Sequence, residues 1–244
     1  MSMDAAGPRY AAPSAGPATE SGAGLARMAA GVAHELRNPL AVILARVQLL
    51  QLGLKNGKLP DVSKLTRTLT TIEEQTLRAS KVIENLSVFA RPRVPELQSL
   101  DLTETMHHVL DQLGTRTVEG SSIVTDLDIP TEAATVVADG GQLRTALGEL
   151  MANAVDAMPD GGNLRIRARR TDHALEISVA DTGPGVAPHD APRIFEPFFS
   201  TRPGAAGLGL AVVQTIAASH HGTVRLVQGG GAGAEFVLSL PARS

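Results

Sequence analysis

The sequence predicts an α+β protein in two parts. An antiparallel helical hairpin, paired with a second copy as a four-helix bundle, is followed by an α/β sandwich. Two observations predict this. Over residues 25–90 apolar side chains recur in steps of three and four, the period of one helix face. Past the prolines near residue 92 the pattern changes to short alternating runs mixed with helical ones, as expected of a sheet covered on one face. The expected divisions are a disordered tail at 1–24, the hairpin at 25–92, a linker at 93–99 and the sandwich at 100–241.

The tail is dominated by Ala, Gly, Pro and Ser and has no hydrophobic period, a composition that cannot offset its ordering entropy. From Leu25 the stripe runs through Met28, Val32, Leu36, Leu40, Ile43, Val47, Leu50 and Leu54, one long amphipathic helix. Gly53, Asn56, Gly57 and Pro60 end it, and Asp61 is placed to cap the next helix. The second stripe is Val62, Leu65, Leu69, Ile72, Thr76, Ala79, Ile83, Leu86 and Ala90, a heptad seam closed by Arg91-Pro92. Each helix is about 40 Å long at about 1.5 Å per residue. Two such helices cannot hide both stripes from water alone, so a homodimer is expected.

In the sandwich, Ile123, Leu127 and Ile129 mark one strand and Val136-Val137 another. Leu164, Ile166 and Ala168 alternate with Arg165, Arg167 and Arg169; Leu175, Ile177 and Val179 alternate again, as do Phe236, Leu238 and Leu240. A helical run from Gln142 to Met158 lies between strands, and Gly209 to Ala217 reads as another helix.

Composition narrows the function classes. The 244 residues are 43% apolar but include only five Phe, one Tyr and no Trp, so Leu, Val, Ile and Ala must make the core. A net charge of −3, from 22 basic and 25 acidic residues, gives no global support for a nucleic-acid groove. The absence of cysteine excludes disulfides and Cys-based zinc sites. Apolar runs fall short of the roughly 18 to 20 residues of a membrane span, and no charged-then-apolar leader is visible. A soluble, cytoplasmic chain with no membrane segment is expected.

Several residues carry chemistry. His34 lies two residues from both Val32 and Leu36, about 200° around the helix from each, and should face solvent. Glu35 can polarise one ring nitrogen and leave the other as a nucleophile. Pro39 removes a helical hydrogen bond beside them, and Asn38 shares the face of His34. A lone surface histidine would be unremarkable; its setting is what singles it out. Glu149, Asn153 and Asp156 lie four and three residues apart, along one helix face. An Asn oxygen with phosphate oxygens is a reasonable shell for Mg²⁺, although such a trio is also ordinary on a surface helix. Asp181 continues the inward face of Leu175, Ile177 and Val179, so its carboxylate needs a hydrogen-bond partner. Gly183 and Gly185 allow a tight turn after it. Ile194 to Arg202 holds three of the five phenylalanines, and Gly204 to Leu210 opens a helix whose glycine-rich N-terminus can cradle phosphate.

These segments stand in one order: His34-Glu35-Leu36-Arg37-Asn38-Pro39-Leu40, Asn153-Ala154-Val155-Asp156-Ala157, Asp181-Thr182-Gly183-Pro184-Gly185, Phe195-Glu196-Pro197-Phe198-Phe199 and Gly207-Leu208-Gly209-Leu210. Over roughly residues 25–241 the chain resembles the transmitter core of bacterial two-component sensor histidine kinases. Phe89-Ala90-Arg91-Pro92 with Asp156-Ala157-Met158 looks like their nitrogen-regulation branch. The resemblance implies an ATP-dependent protein-histidine kinase that phosphorylates His34 and passes the group to an aspartate of a response regulator receiver domain. Glu35 would assist, and Asn38 would orient a water for the reverse, phosphatase reaction. ATP would be held by Glu149, Asn153, Asp156, Asp181, Gly183 and Gly185. A lid carrying Phe198, Thr201 and Arg202, and the turn Gly207, Leu208, Gly209 and Leu210, would complete the site. Mg²⁺ would sit on Asn153 and Glu149, and Asp181 would receive the adenine amine.

Ala205 and Ala206 depart from the family's usual Gly or Thr, which would stiffen the lid or weaken phosphate contact. His107, His108, His189, His220 and His221 have no comparable context and are expected to be surface or packing residues. The tail is too short for a sensory domain, so an unknown partner or missing segment would supply the signal. The competing readings are a dimeric nucleotide-binding scaffold or pseudokinase that docks a regulator, and a mechanical ATPase of the gyrase or chaperone kind. No transducer-like segment after Pro241 supports the latter.

Overall fold

The steps of three and four become two long helices, α1 (Ala23–Lys55) and α2 (Val62–Ala90). The computed structural model describes residues 9–11, 23–57, 60–90, 93–114, 123–202, 205–227 and 233–242, with the side chains of 9–11, 23–30, 34, 89 and 90 outside that description. Helix α1 continues through Pro39, which is buried in the hairpin. Asp61 caps α2 as expected. Its Oδ1 accepts from the Lys64 N–H at 2.8 Å and the Ser63 hydroxyl at 3.0 Å. The Lys64 backbone bond, with the Lys64 and Ser63 side chains, holds the Asp61 carboxyl below its ordinary range.

Packing divides the chain into two units, one being the hairpin with the loop Pro197–Leu208. In that unit Ala79, Val82 and Asn85 of α2 are buried, whereas Leu40, Leu44, Leu69, Leu77 and Ile83 are between 53% and 65% exposed. One copy of the hairpin therefore leaves several large aliphatic side chains more than half exposed to water.

The other unit contains Arg91–Glu196 and Gly209–Ser244 with the N-terminal segment. Its six-stranded sheet has the order β1-β7-β8-β6-β5-β3, where β1 is Arg9–Ala11, β3 Ile123–Asp128, β5 Gly162–Arg170, β6 Ala174–Ala180, β7 Thr223–Val227 and β8 Glu235–Pro241. Only β3 and β5 pair in parallel; the other neighbours are antiparallel. A separate ribbon joins β2 (Gln98–Asp101) to β4 (Thr135–Ala138). Helix α4 (Gly140–Asp156) packs on β5 and β6, α5 (Gly209–Ser219) on β7 and β8, and α3 (Leu102–Gly114) on α4. Leu164, Ile166, Ala168, Leu175, Ile177 and Val179 point into this layer, while Arg165, Arg167 and Arg169 are exposed. With few aromatics, one edge-to-face pair stands out: Phe195 on Phe236, with centroids 6.4 Å apart and planes at 87°.

Four elements differ from the sequence expectation. Arg9–Ala11, inside the segment expected to be disordered, pair as a strand with β7 (Arg9 opposite Val227). The open edge of β7 offers backbone donors and acceptors to any extended chain, a reward that composition does not encode. Helix α3 and strands β2 and β7 had no part in the expected pattern. His220 is buried, the packing alternative of the two expected for it.

The end of α5 explains both adjacent histidines. Gly222 N–H bonds Ala217 O at 2.8 Å and His221 N–H bonds Ala218 O at 3.0 Å, a Schellman closure. His221 occupies the left-handed position, with φ 59°, where a side chain is strained and glycine is not. Replacing His221 by Gly should therefore stabilise the sheet unit by about 0.5–1 kcal/mol, read as a higher urea midpoint at unchanged slope.

Candidate functional site

In the sheet unit the site is built where α4 ends against the turn after β6. Asp181 is half-buried, and its Oδ1 accepts from the Gly183 N–H at 2.8 Å and the Ala234 N–H at 3.3 Å. The backbone thus supplies the hydrogen bonds that an inward carboxylate requires. A β-carbon on Gly183 would lie 2.7 Å from Ala157 O and 3.0 Å from Ala157 Cβ, so only glycine lets this turn rest on the end of α4. Gly185 has φ 75°, and a β-carbon there would meet Gly233 O at 2.7 Å. Close approach, more than turn formation alone, requires both glycines.

Glu149 and Asn153 are half-buried on α4 and Asp156 is exposed near its end. The first residue of α5 meets the first two: a β-carbon on Gly209 would strike Glu149 Oε2 and come within 3.7 Å of Asn153 Nδ2. The fold therefore brings together Glu149, Asn153 and the N-terminus of α5, whose first amides lack intrahelical acceptors. Leu210 follows within α5, half-buried. A carboxylate and an amide oxygen suit Mg²⁺ only with waters and substrate oxygens added. Consistently, no cluster of three or more His, Cys, Asp or Glu residues of metal-binding type occurs among the described residues.

The remaining predicted residues lie in the hairpin unit. His34, Glu35 and Asn38 are on α1, with Glu35 half-buried and Asn38 exposed. The orientation expected of the His34 side chain lies outside the described residues. In the loop, Phe198 N–H bonds Gly207 O at 2.8 Å. Both residues are left-handed, with φ 66° and 65°, and a β-carbon on Gly207 would lie 2.6 Å from the Phe198 carbonyl carbon. Ser200 Oγ accepts from Arg202 N–H and donates to Arg202 O, each at 3.1 Å. Thr201 is exposed, Arg202 half-buried and Leu208 buried; Gly204 lies outside the described residues.

Three contributors were not singled out from sequence. The Met158 sulfur accepts from the Thr182 N–H at 3.4 Å and hydroxyl at 3.5 Å, holding the turn. Gly31, one turn before His34, adjoins the Phe198 ring: a β-carbon there would lie 2.7 Å from Cδ1. Asp139, just before a helical run, is the type of residue that caps helices, and that signal could have revealed it.

Comparison with known proteins agrees with this arrangement. Residues 25–94 match the family described as the His Kinase A (phospho-acceptor) domain. Residues 138–244 match the histidine kinase-, DNA gyrase B-, and HSP90-like ATPases. The sensor histidine kinase ZraS of Klebsiella oxytoca is 33% identical over 218 residues, covering 89% of this chain and 46% of its own length. Among solved structures, the Acinetobacter baumannii histidine kinase AdeS superposes with a TM-score of 0.66 at 25% identity, covering 86% of this chain and 98% of that one. Full-length ShkA in complex with AMPPNP gives 0.63 at 29% identity, covering 89% and 46%. An acceptor helix domain joined to an ATPase-type sandwich defines the class. The chain carries the phospho-acceptor and ATPase domains that make up the transmitter core of two-component histidine kinases. It spans 28% of the length of one curated relative and 56% of that of another. No helix among the described residues is long and apolar enough to cross a membrane.

The glycine contacts give a direct test. Gly183→Ala must push the turn off Ala157, with an expected loss of about 1–3 kcal/mol. Gly141→Ala, whose β-carbon meets only Asp139 Oδ1 at 3.4 Å, should be neutral or stabilising by up to about 1 kcal/mol. Chemical denaturation of the two variants side by side measures the difference.

Proposed function

We propose that this chain binds ATP with Mg²⁺, moves the γ-phosphoryl group to a ring nitrogen of His34, and donates it onward to an aspartate of a response regulator. The observation that carries this reading is the convergence of Glu149, Asn153 and the α5 N-terminus beside the glycine-held turn of Asp181. The family match supplies the acceptor half.

The chemistry follows from the donors present. Asp181, fixed by two backbone N–H bonds, offers acceptor capacity to the exocyclic amine of adenine. Gly183 and Gly185 let the base approach. The free amides of α5 at Gly209 and Leu210 face phosphate favourably. Asn153, with Glu149, would hold Mg²⁺, whose charge would offset that developing on the phosphates. Phe198, Thr201, Arg202, Gly207 and Leu208 would form the lid, and Asp156 would add a further nucleotide contact. The neutral His34 nitrogen attacks the γ-phosphorus, the bond to the bridging oxygen breaks, and ADP leaves. Glu35 draws on the proton of the other nitrogen, raising the nucleophilicity of the attacking one.

The exposed Leu40, Leu69, Leu77 and Ile83 support a homodimer, since a second hairpin is the surface that matches their spacing. Phe89-Ala90-Arg91-Pro92 supports placement beside the nitrogen-regulation kinases. A cytoplasmic location and an unidentified sensory input belong to the same reading.

Incubation with γ-labelled ATP tests it. The parent should gain label that is acid-labile and base-stable, whereas His34→Gln should gain none while still dimerising and binding nucleotide. Asn153→Ala should weaken Mg²⁺-dependent binding at least about tenfold. Acid-stable label on His34→Gln would defeat the assignment.

Asn38, exposed one turn after His34, would hold a water in line with a regulator's phosphoaspartate. Asn38→Ala should prolong the phosphoregulator's lifetime at least about tenfold, with His34 still phosphorylated. Equal lifetimes for the parent, the variant and regulator alone would remove the phosphatase activity from the account.

A further inference from the structure

The segment that follows the hairpin is held at the start of α4 by two residues, Asp139 and Gln142. Arg93, Val94, Glu96 and Leu97 are all exposed, Val94 at 88%, so apolar packing does not fix their course. Hydrogen bonds do. The Glu96 N–H donates to Asp139 Oδ2 at 3.1 Å, and Gln142 Nε2 donates to Arg93 O at 3.3 Å. Asp139 Oδ1 meanwhile caps α4 by accepting from the Gln142 N–H at 3.0 Å. One carboxylate thus holds the helix with one oxygen and the linker with the other. Partial burial raises its pKa, but the backbone bonds from Gln142, Glu96 and Gly141 outweigh that and hold it below the ordinary range. It is ionised at neutral pH, with both oxygens able to accept.

The same node is anchored to α5. His220 Nδ1 lies 2.9 Å from Ile216 O, a carbonyl that can only accept, so Nδ1 carries the proton. Nε2 then accepts from the Asp139 N–H at 3.0 Å. Ser219 Oγ donates to Gln142 Oε1 at 3.1 Å, which turns the amide nitrogen of Gln142 toward Arg93 O. Gln142, Glu149 and Asn153 are spaced seven and four residues apart, one stripe of α4. The linker bond and the nucleotide-facing groups therefore ride on one helix, about 16 Å from end to end at about 1.5 Å per residue.

We propose that Asp139 and Gln142 are positioning residues. They latch the inter-domain linker to the N-terminal turn of α4, so that the linker's path and the placement of Glu149 and Asn153 are set together. The inference rests on the phosphotransfer reading above. It adds that transfer depends on a linker attachment at the end of α4 opposite the nucleotide-facing groups. Because coupling is reciprocal, nucleotide bound along α4 should also tighten the linker.

Two full-chain variants test this. Asp139→Asn keeps a good N-cap but turns an amide NH₂, a donor, toward the Glu96 N–H. Gln142→Leu removes the bond to Arg93 O and leaves the cap. In the parent, amide exchange at Glu96 should slow when a non-hydrolysable ATP analogue binds. In Asp139→Asn it should be at least about tenfold faster and insensitive to the analogue. Both variants should bind the analogue within about twofold of the parent, yet transfer phosphoryl to His34 at least about tenfold more slowly at saturating ATP. Glu96 exchange that ignores nucleotide in the parent overturns the latch. So do variants that transfer at the parental rate, or that lose transfer only in proportion to lost nucleotide affinity. A parent that gains no label would count against the phosphotransfer reading, and Glu96 exchange would still judge the latch.

Discussion

Helix α4 is the element on which the rest depends, and it is fixed at both ends by contacts that permit little substitution. At its start, Asp139 caps the first turn and is itself held by His220. At its end, Gly183 rests on Ala157 at a distance that excludes any side chain. Between them Leu143, Leu147, Leu150 and Met151 are almost fully buried against the sheet and neighbouring helices, each contributing about 1.5–3 kcal/mol relative to exposure. A helix so held cannot slide or rotate without breaking a cap or opening a cavity. Glu149 and Asn153 therefore keep their places beside Gly209 before any ligand arrives, which is the preorganisation a phosphate-transfer site needs.

The hairpin unit is built on the opposite principle. Its helices are regular and Asp61 caps the second, but one copy leaves large aliphatic side chains in water. The loop Pro197–Leu208 joins this unit through strained or glycine-dependent contacts, with Phe198 left-handed and seated at Gly31. Conformational cost of this kind, about 1–3 kcal/mol at a non-glycine residue, is tolerable where surrounding contacts over-determine the backbone.

Much of this was legible in the chain itself because the relevant physics is local. The period of the two long helices, the Asp61 cap, the alternation in β5, β6 and β8, and the α4 stripe depend on neighbours within one or two turns. What escaped depends on distant partners. Strand β1 exists because β7 has an open edge, and no residue of the N-terminal segment announces that. His220 looks like a surface residue until α5 places it against the N–H of Asp139, 81 positions away. Gly31 reads as an ordinary helix glycine; its reason is a ring far along the chain. The phenylalanine-rich string divided in a way that composition could not anticipate, with Phe195 packing on Phe236 and Phe198 standing in the loop.

The central claim is that nucleotide engages the C-terminal half of α4 and the turn after β6 in their existing positions. Backbone amide shifts of the isotope-labelled chain, followed during titration with an ATP analogue and Mg²⁺, test it most directly. The account predicts that the largest changes fall on Glu149 to Ala157, Asp181 to Gly185 and Gly209-Leu210. Saturable binding that leaves those amides unmoved and perturbs another surface would contradict it.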